Sequence, residues 1–542
     1  MNALDWSVLG IYMAFIMGLG AYLSKGQESM DDYFKGGGCV PWWQTGLSTM
    51  ATQLGAISFV SAPAFVALKE GGGMRWLAYE FGVPIGLLIV MVVLIPVLFK
   101  AKVTSIYEYL EMRYDSGTRI LVSILFQIGR GLGTAVAVLA GGIILSTALS
   151  ISTPAAILVI GIVTIIYDMM GGIKGVIVSD VIQMVFILAG ILLCAGYALY
   201  LVGWAEAWNL DASRALILDF KSMGFNKEGS QYGFWPMTLG GIILYASYYG
   251  CDQSQVQREL SVATVHDVRK SLLLNAVGRF PLVLLYCCMG LFVGAVAKTS
   301  GFATKVGAAM GLEPVQVTQL LASDPDRLIP MFILSYLPHG IIGLLFVAIL
   351  SALMSSLDSA LNSMSAVTLS DVYKRYFKPD GSDEHYLFAS KMLTVFWGIF
   401  CIGFALIFCY SGEGARETTI VMINAIGSVL YGPILSVFLL GMLISRINGT
   451  GVKFGVISGA ALNAYIWMFS DISWMWMNVF GFLATSLVSL SVSFLTSQEK
   501  VVEAFDLKES SSRSANFMYV LVLIYFVFLL GACHFLQSSF GA

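Results

Sequence analysis

Long apolar runs recur from one end of this chain to the other, and they constrain its fold more than any other feature. A helix of about 20 apolar residues matches the thickness of a bilayer's hydrocarbon core. Runs of that kind lie near 5–24, 42–66, 76–99, 119–149, 153–169, 176–202, 236–254, 272–298, 338–371, 386–411, 418–443, 453–470, 472–494 and 516–538, about fourteen in all. Of the 542 residues, 58% are hydrophobic and only 12% charged, more apolar surface than a soluble core can hide. A membrane β-barrel would show short alternating strands instead. The expected class is therefore an all-α membrane protein with about 14 transmembrane helices. The first run is long and lacks a basic start and a clean cleavage site, so it reads as a retained span rather than a signal peptide.

Composition also removes several functions. A net charge of −3 gives no footprint for nucleic acid. The cysteines lie mostly inside apolar runs (Cys194, Cys287, Cys288, Cys401, Cys533) without metal spacing. The histidines His266, His339, His385 and His534 are scattered, with no HExxH and no nucleophile–base arrangement, so an enzyme is not expected. A membrane sensor would be expected to carry an output domain, and only a few residues follow Leu536. The expected partners are the lipid bilayer, a small solute and its coupling ion, with a monomer sufficient.

Basic residues orient the spans. Loops holding Lys25, Lys35, Lys100, Lys102, Lys374, Arg375, Arg446, Lys453, Lys500 and Lys508 share one side if the spans are counted as above. The positive-inside rule makes that side cytoplasmic and leaves both termini outside, in the plasma (inner) membrane.

Two spans are interrupted. The second carries Ala51-Thr52-Gln53-Leu54-Gly55-Ala56-Ile57-Ser58 at mid-depth, and the seventh carries Ser247-Tyr248-Tyr249-Gly250-Cys251-Asp252-Gln253-Ser254-Gln255. They lie five spans apart. Broken helices in corresponding places point to an inverted-repeat transporter with its site at the breaks. This divides the chain into an extra N-terminal span and loop (1–41), a first five-span repeat (42–202), an outer loop (203–235), a second repeat (236–443) and extra C-terminal spans (444–542).

The eighth helix of that ten-helix core carries a polar stripe. At about 100° per residue, Ala352, Ser355, Ser356, Ser359, Asn362 and Ser363 share one face, with Asp358 at its edge. Such a stripe must face protein or water. It is either a seam of small residues between helices or an oxygen-rich cradle for a hard cation.

The chain resembles the sodium/solute symporter family, which includes glucose, proline, iodide, monocarboxylate and sialic acid carriers. The resemblance rests on Asp32-Tyr33-Phe34, Pro41-Trp42-Trp43, Gly171-Gly172-Ile173-Lys174-Gly175 through Ser179-Asp180-Val181-Ile182-Gln183, Asp252-Gln253 with Val256-Gln257-Arg258, and Ser355-Ser356-Leu357 with Leu361-Asn362-Ser363. Ser105-Ile106-Tyr107-Glu108-Tyr109-Leu110-Glu111 looks most like the monocarboxylate, iodide and vitamin branch. The family's fold, a five-plus-five inverted-repeat (LeuT-like) core with extra flanking helices, matches the layout above. The resemblance implies sodium-coupled import of a small organic solute by alternating access, with Na+ as the coupling ion.

It also implies sites. Sodium would be held by carbonyls of Ala51, Leu54 and Ala352 and hydroxyls of Ser355 and Ser356; back-bonding within the helix is the plain alternative for the serines. A second sodium site of some members maps to Asp180, Ser355, Asp358 and Ser359. The family often has Ser or Thr where Asp358 stands, so this carboxylate strengthens the site, binds a proton, or forms a structural ion pair. Sugar-contact positions of the family fall on Ser58, Glu80, Asp252, Arg279 and Asn424, of which Glu80 alone keeps the family residue, so a galactose-like pocket is not expected. Gln53, in the first break, and Tyr248, beside the second, complete the expected solute set; Tyr248 and Tyr249 either gate the solute or pack.

Arg130 is the most informative departure. It lies about eleven residues into the fourth span, too deep to snorkel easily, between Gly129, Gly131 and Gly133. It either pairs with a fixed acid such as Asp358 or Glu80, or binds an anionic solute through its two-pronged donor geometry. In the sialic acid branch an arginine on this same helix holds the substrate carboxylate. The expected solute is thus a carboxylate-bearing anion, with a neutral sugar or inositol as the alternative.

Overall fold

A computed structural model describes residues 1–23, 33–34, 40–149, 151–208, 212–225, 231–411, 418–496, 505–506 and 510–539. Asp32, Lys25, Lys35, Lys500 and Lys508 lie outside the described residues. The described residues are helices and loops, with no strand among them.

The helices that build the bundle and frame its site, in order, are α1 (Ala3–Leu23), α2 (Trp42–Gln53), α3 (Ala56–Leu68), α4 (Met74–Ala101), α5 (Glu108–Arg113), α6 (Ser116–Leu149), α7 (Thr153–Val202), α8 (Phe234–Cys251), α9 (Gln253–Glu259) and α10 (Val265–Ala297). They continue with α11 (Ile341–Phe377), α12 (Asp383–Ser411), α13 (Thr419–Leu443), α14 (Gly449–Phe469), α15 (Trp474–Leu495) and α16 (Arg513–Ser539). Among the described residues, eleven helices are long and apolar enough to cross a membrane, or twelve if the bent pair α2–α3 is one span.

The expected runs at 153–169 and 236–254 do not pass that test separately. The first is the shorter apolar stretch Thr153–Ile166, joined to the rest of α7 across a kink at Gly172. Gly172 has φ 56° and ψ −171°, a conformation that disfavours any residue with a Cβ. The second is α8, whose apolar character is diluted by Ser247, Tyr248, Tyr249 and Gly250 before the break.

Helices α7 and α11 pack along one another, and α1 lies against both. α3 packs on α10, α4 on α8, and α6 runs between α12, α13 and α11. The pair α14–α15 packs against α13. Small residues permit the close approaches. A Cβ on Gly82 would lie 2.4 Å from the carbonyl carbon of Gly241, so α4 and α8 meet backbone to backbone. Outside the spans, Asp326 reaches the start of α13. Its Oδ2 accepts the Thr419 N–H at 3.0 Å and the Thr419 hydroxyl, while Ser61 Oγ of α3 accepts the Ile420 N–H at 3.0 Å. These contacts satisfy orphan donors of the helix start.

Candidate functional site

Two helix breaks build the site. At the first, Leu54 leaves helical geometry (φ −90°, ψ 55°), its N–H bonding to Ala51 O and Met50 O, and the chain extends through Gly55 before α3 begins. Gly55 is required there by close approach: a Cβ would lie 2.5 Å from Ser356 Oγ of α11. At the second, Asp252 is extended (φ −97°, ψ 121°) and caps α9, its Oδ1 accepting the Ser254 N–H at 2.8 Å.

The polar stripe of α11 faces the first break. Ser356 Oγ donates to Thr52 O at 3.1 Å and also contacts Ala352 O of its own helix at 3.3 Å. It therefore does both things its residue type permits, back-bonding and bridging to the broken strand of backbone. Ser355 does not join it: its hydroxyl donates to Asp180 Oδ1 at 2.5 Å. The structure thus gathers Ala352 and Ser356 at the break that follows Ala51, and turns the fifth expected oxygen toward α7.

Asp180, Ser355, Ser359 and Asp358 do come together, around a group that was quoted in the sequence only as part of a motif. Arg258 of α9 donates to Ser48 Oγ at 2.8 Å, lies 3.3 Å from Asp180 Oδ2, and bonds Ser359 Oγ and Ser254 O. Ser48 Oγ donates to the same Asp180 oxygen at 2.5 Å. Asp358 Oδ1 accepts the Ser359 N–H at 2.6 Å, whereas its buried Oδ2 has no hydrogen-bond partner among the described residues. Asn362 accepts from Gln257 Nε2 at 3.0 Å, and Ser363 bonds back to Ala360 O at 2.9 Å, so this end of the stripe packs.

Between the breaks lies a cavity of about 170 Å³. Gln53, Ser58, Arg130, Tyr248, Asp252, Arg279 and Asn424 of the expected solute set line it, as does Ser356. Glu80 does not. It is 1% exposed behind the wall, its Oε2 2.7 Å from Arg279 Nε and its Oε1 accepting the Tyr245 hydroxyl at 2.8 Å. The expected pairing of Arg130 with Glu80 or Asp358 is corrected accordingly: Glu80 is taken by Arg279, and the carboxylate beside Arg130 is Asp252. The reason is topological. The break places Asp252 across the cavity from α6, while Arg279 of α10 reaches Glu80 of α4 behind it.

The two cavity arginines are held very differently. Every nitrogen of Arg279 is engaged: two on Glu80, with the Tyr245 hydroxyl at 3.2 Å and Gln53 Oε1 taking further bonds. Arg130 has Asp252 Oδ2 at 3.6 Å, the Tyr248 hydroxyl at 3.5 Å and the Tyr248 ring at 5.6 Å. Its buried Nε has no partner among the described residues. The flanking glycines seat α6 against its neighbours: a Cβ on Gly129 would meet Leu430 at 2.8 Å, and one on Gly131 would meet Phe400 at 2.8 Å.

The remaining expected residues have local roles too. Ser58 Oγ donates to Gln53 O at 3.2 Å across the break, and Asn424 accepts the Tyr79 hydroxyl at 3.3 Å. Tyr248 lies at the cavity wall. Tyr249 is buried, its hydroxyl donating to Gln53 Oε1 at 2.8 Å, and so belongs to the packing. Sequence reasoning did not single out Tyr79, Tyr245 or Tyr431, which supply much of the aromatic wall. A tyrosine within an apolar helix was the available signal, but such residues are frequent here.

A model of the Sodium:solute symporter family matches residues 33–459. The chain belongs to that family. The sodium/sialic acid symporter NanT of Aliivibrio fischeri is 28% identical over 90% of this chain and 92% of its own. The human sodium/iodide cotransporter is 28% identical over 86% of this chain and 70% of its own. Among solved structures, the substrate-bound outward-open state of a Na+-coupled sialic acid symporter superposes with TM-score 0.79 at 26% identity, covering 92% of this chain and all of that one. The chain is thus a multi-pass membrane transporter that couples a small solute to sodium, not an enzyme.

Proposed function

We propose that this sodium:solute symporter imports a small carboxylate-bearing organic anion across the plasma membrane by alternating access, with Arg130 as the carboxylate anchor. The observation that carries the reading is the contrast between the two cavity arginines. All three nitrogens of Arg279 are engaged, two of them by Glu80, while Arg130 offers an unpartnered Nε and only long contacts to Asp252 and Tyr248. A guanidinium in that condition is matched by an incoming carboxylate that accepts two parallel bonds. The similar sialic acid symporters, whose named substrate is a carboxylic acid, agree with this reading.

Sodium is held in this proposal by Ala51, Leu54, Ala352, Ser355 and Ser356, joining the first break to α11. The Ser356 contact with Thr52 O and the close approach at Gly55 support it. Binding there stabilises the solute-ready arrangement, and by linkage each ligand raises the other's affinity by the same factor. A second sodium, at Asp180, Ser355, Asp358 and Ser359, is favoured by the unpartnered buried oxygen of Asp358. Each sodium moved inward gains about 2.3 kcal/mol per 100 mV of membrane potential.

The membrane arrangement follows the same proposal. Adding the arm Thr153–Ile166 and α8 to the twelve spans gives fourteen, with the breaks at Leu54 and Asp252 in matching places of two inverted five-span repeats. Both termini then lie outside, and one chain holds a whole site.

Sodium-gradient uptake in proteoliposomes, competed by a panel of carboxylates and neutral sugars, tests the reading. Competition by carboxylates, lost in Arg130→Lys, is the expected result. Competition by sugars or inositol alone, with Arg130→Lys transporting normally, refutes it in favour of a neutral solute with Arg130 structural.

A further inference from the structure

The charge balance of the cavity carries one more step. Its two ion pairs differ in kind. Arg279–Glu80 is closed and set back in the wall, so the pair that a solute meets is Arg130–Asp252. Asp252 divides its oxygens. Oδ1 is committed to the cap of α9, accepting from Ser254 N at 2.8 Å and Ser254 Oγ at 2.6 Å. Oδ2 faces Arg130 at 3.6 Å, beyond direct hydrogen-bond distance.

A carboxylate that accepts from the free Nε of Arg130 competes with Asp252, which faces Nη1, for the charge of one guanidinium. Asp252 is 5% exposed, and its N-cap bonds tie it to the break, so it cannot follow the guanidinium or leave for water. An anion alone would leave this buried carboxylate sharing its counterion and facing a like charge. Opening a buried ion pair is costly when one partner is left uncompensated, and much less so when both receive new partners. The wall beside Asp252 suits a cation: the Tyr248 ring already lies 5.6 Å from the Arg130 guanidinium, and Tyr431 sets its ring edge-on to Tyr248 at 6.2 Å. Aromatic faces attract cations through their quadrupole.

We infer that the solute is a zwitterion, a small amino acid or betaine-like compound whose carboxylate takes Arg130 and whose ammonium takes Asp252 Oδ2 beside the tyrosine rings. The inference rests on the reading of Arg130 as carboxylate anchor and narrows it, from a carboxylate-bearing anion in general to a carboxylate that carries its own cation. Electroneutral exchange of one internal pair for two solute contacts also means that Asp252 selects against simple organic anions.

The test is sodium-dependent thermal stabilisation of the purified full chain, titrated with two matched trios and a pair: alanine, propionate and N-acetylalanine; proline and N-acetylproline with cyclopentanecarboxylate; glycine betaine with 3,3-dimethylbutyrate. N-acetylneuraminic acid and galactose complete the set. At least one zwitterion is expected to bind about tenfold or more tightly than each of its counterparts without a cationic nitrogen, the loss of one ion-pair contact. Asp252→Asn is expected to bring that ratio to about one, and Asp252→Glu to restore a preference. Stabilisation by sodium alone reports that each variant is folded. Equal or tighter binding of the simple acids or of N-acetylneuraminic acid overturns the inference and leaves the carboxylate anchor standing. A panel in which no zwitterion binds overturns it also, and binding of galactose alone overturns both.

Discussion

Ser355 and Asp180 are joined across helices α11 and α7 by a 2.5 Å hydrogen bond from Oγ to Oδ1. The other oxygen of Asp180 takes Ser48 and Arg258. A proposed sodium ligand is thus oriented by a carboxylate far away in sequence, which in turn neutralises the guanidinium of α9. Asp180→Asn keeps the shape of this junction and removes its charge. The sodium concentration for half-maximal uptake is expected to rise about tenfold, equivalent to about 1.4 kcal/mol, and the sodium Hill coefficient to fall toward one. An unchanged sodium dependence would exclude both roles.

Ser356 bridges α11 to Thr52 O at the first break. Ser356→Ala deletes one of the two side-chain hydroxyls proposed to act on sodium, the one that bridges directly to the break. One lost polar contact in a buried site costs about 1–3 kcal/mol, so sodium affinity is expected to fall roughly tenfold or more. Sodium titration of uptake checks it, and wild-type affinity in the variant would remove Ser356 from the site.

The two cavity arginines are expected to fail in different ways. Arg279→Met strands the buried Glu80, and breaking such a pair costs about 3–5 kcal/mol; a large drop in thermal stability in detergent is expected. Arg130→Lys keeps a cation beside Asp252, so stability should remain close to wild type while uptake is lost. Equal destabilisation by both changes would contradict the division of labour.

Asp326 gives a pH signature outside the membrane. Burial, with the neighbouring Asp324 carboxylate adding to it, pushes its pKa from 3.8 up to about 6, against the hydrogen bonds from Thr419 and Ser61. The folded state therefore holds a proton that the unfolded chain has released. Its contribution is fully present below about pH 4 and lost as pH rises through about 6, a difference of up to about 3 kcal/mol. From pH 5 to pH 7 the wild type is expected to lose more thermal stability than Asp326→Asn. Parallel pH profiles of the two proteins would show that Asp326 titrates normally.

Much of the site was legible because its chemistry is local. The glycine and polar residues at Leu54-Gly55 and at Asp252 sit in otherwise apolar runs, where only a broken helix accommodates them, and the structure breaks at both. The spacing of Ala352, Ser355 and Ser356 puts them on one helix face; Ser356 of that face meets the first break, while Ser355 turns to Asp180 of α7. Ion-pair partners were not legible. Arg130 has Glu80, Asp168, Asp180, Asp252 and Asp358 inside the expected spans to choose from, and Arg258 shows nothing beyond its place in a motif. Pairing depends on which helices cross at which depth, and no periodicity within a helix encodes that.

The sequence by itself determined a polytopic helical bundle, the two places where it must break, and the family to which it belongs, because apolar length and local polarity decide each of these. Only the tertiary structure decided how the charges are shared. It closes Arg279 on Glu80 behind the wall, wraps Arg258 in Asp180, Ser48 and Ser359, and leaves Arg130 loosely facing Asp252 in the cavity. The physical reason is the low dielectric of the bundle. There a charge is worth what its nearest opposite makes it, and nearness is set by helix crossings between residues 78 to 210 positions apart.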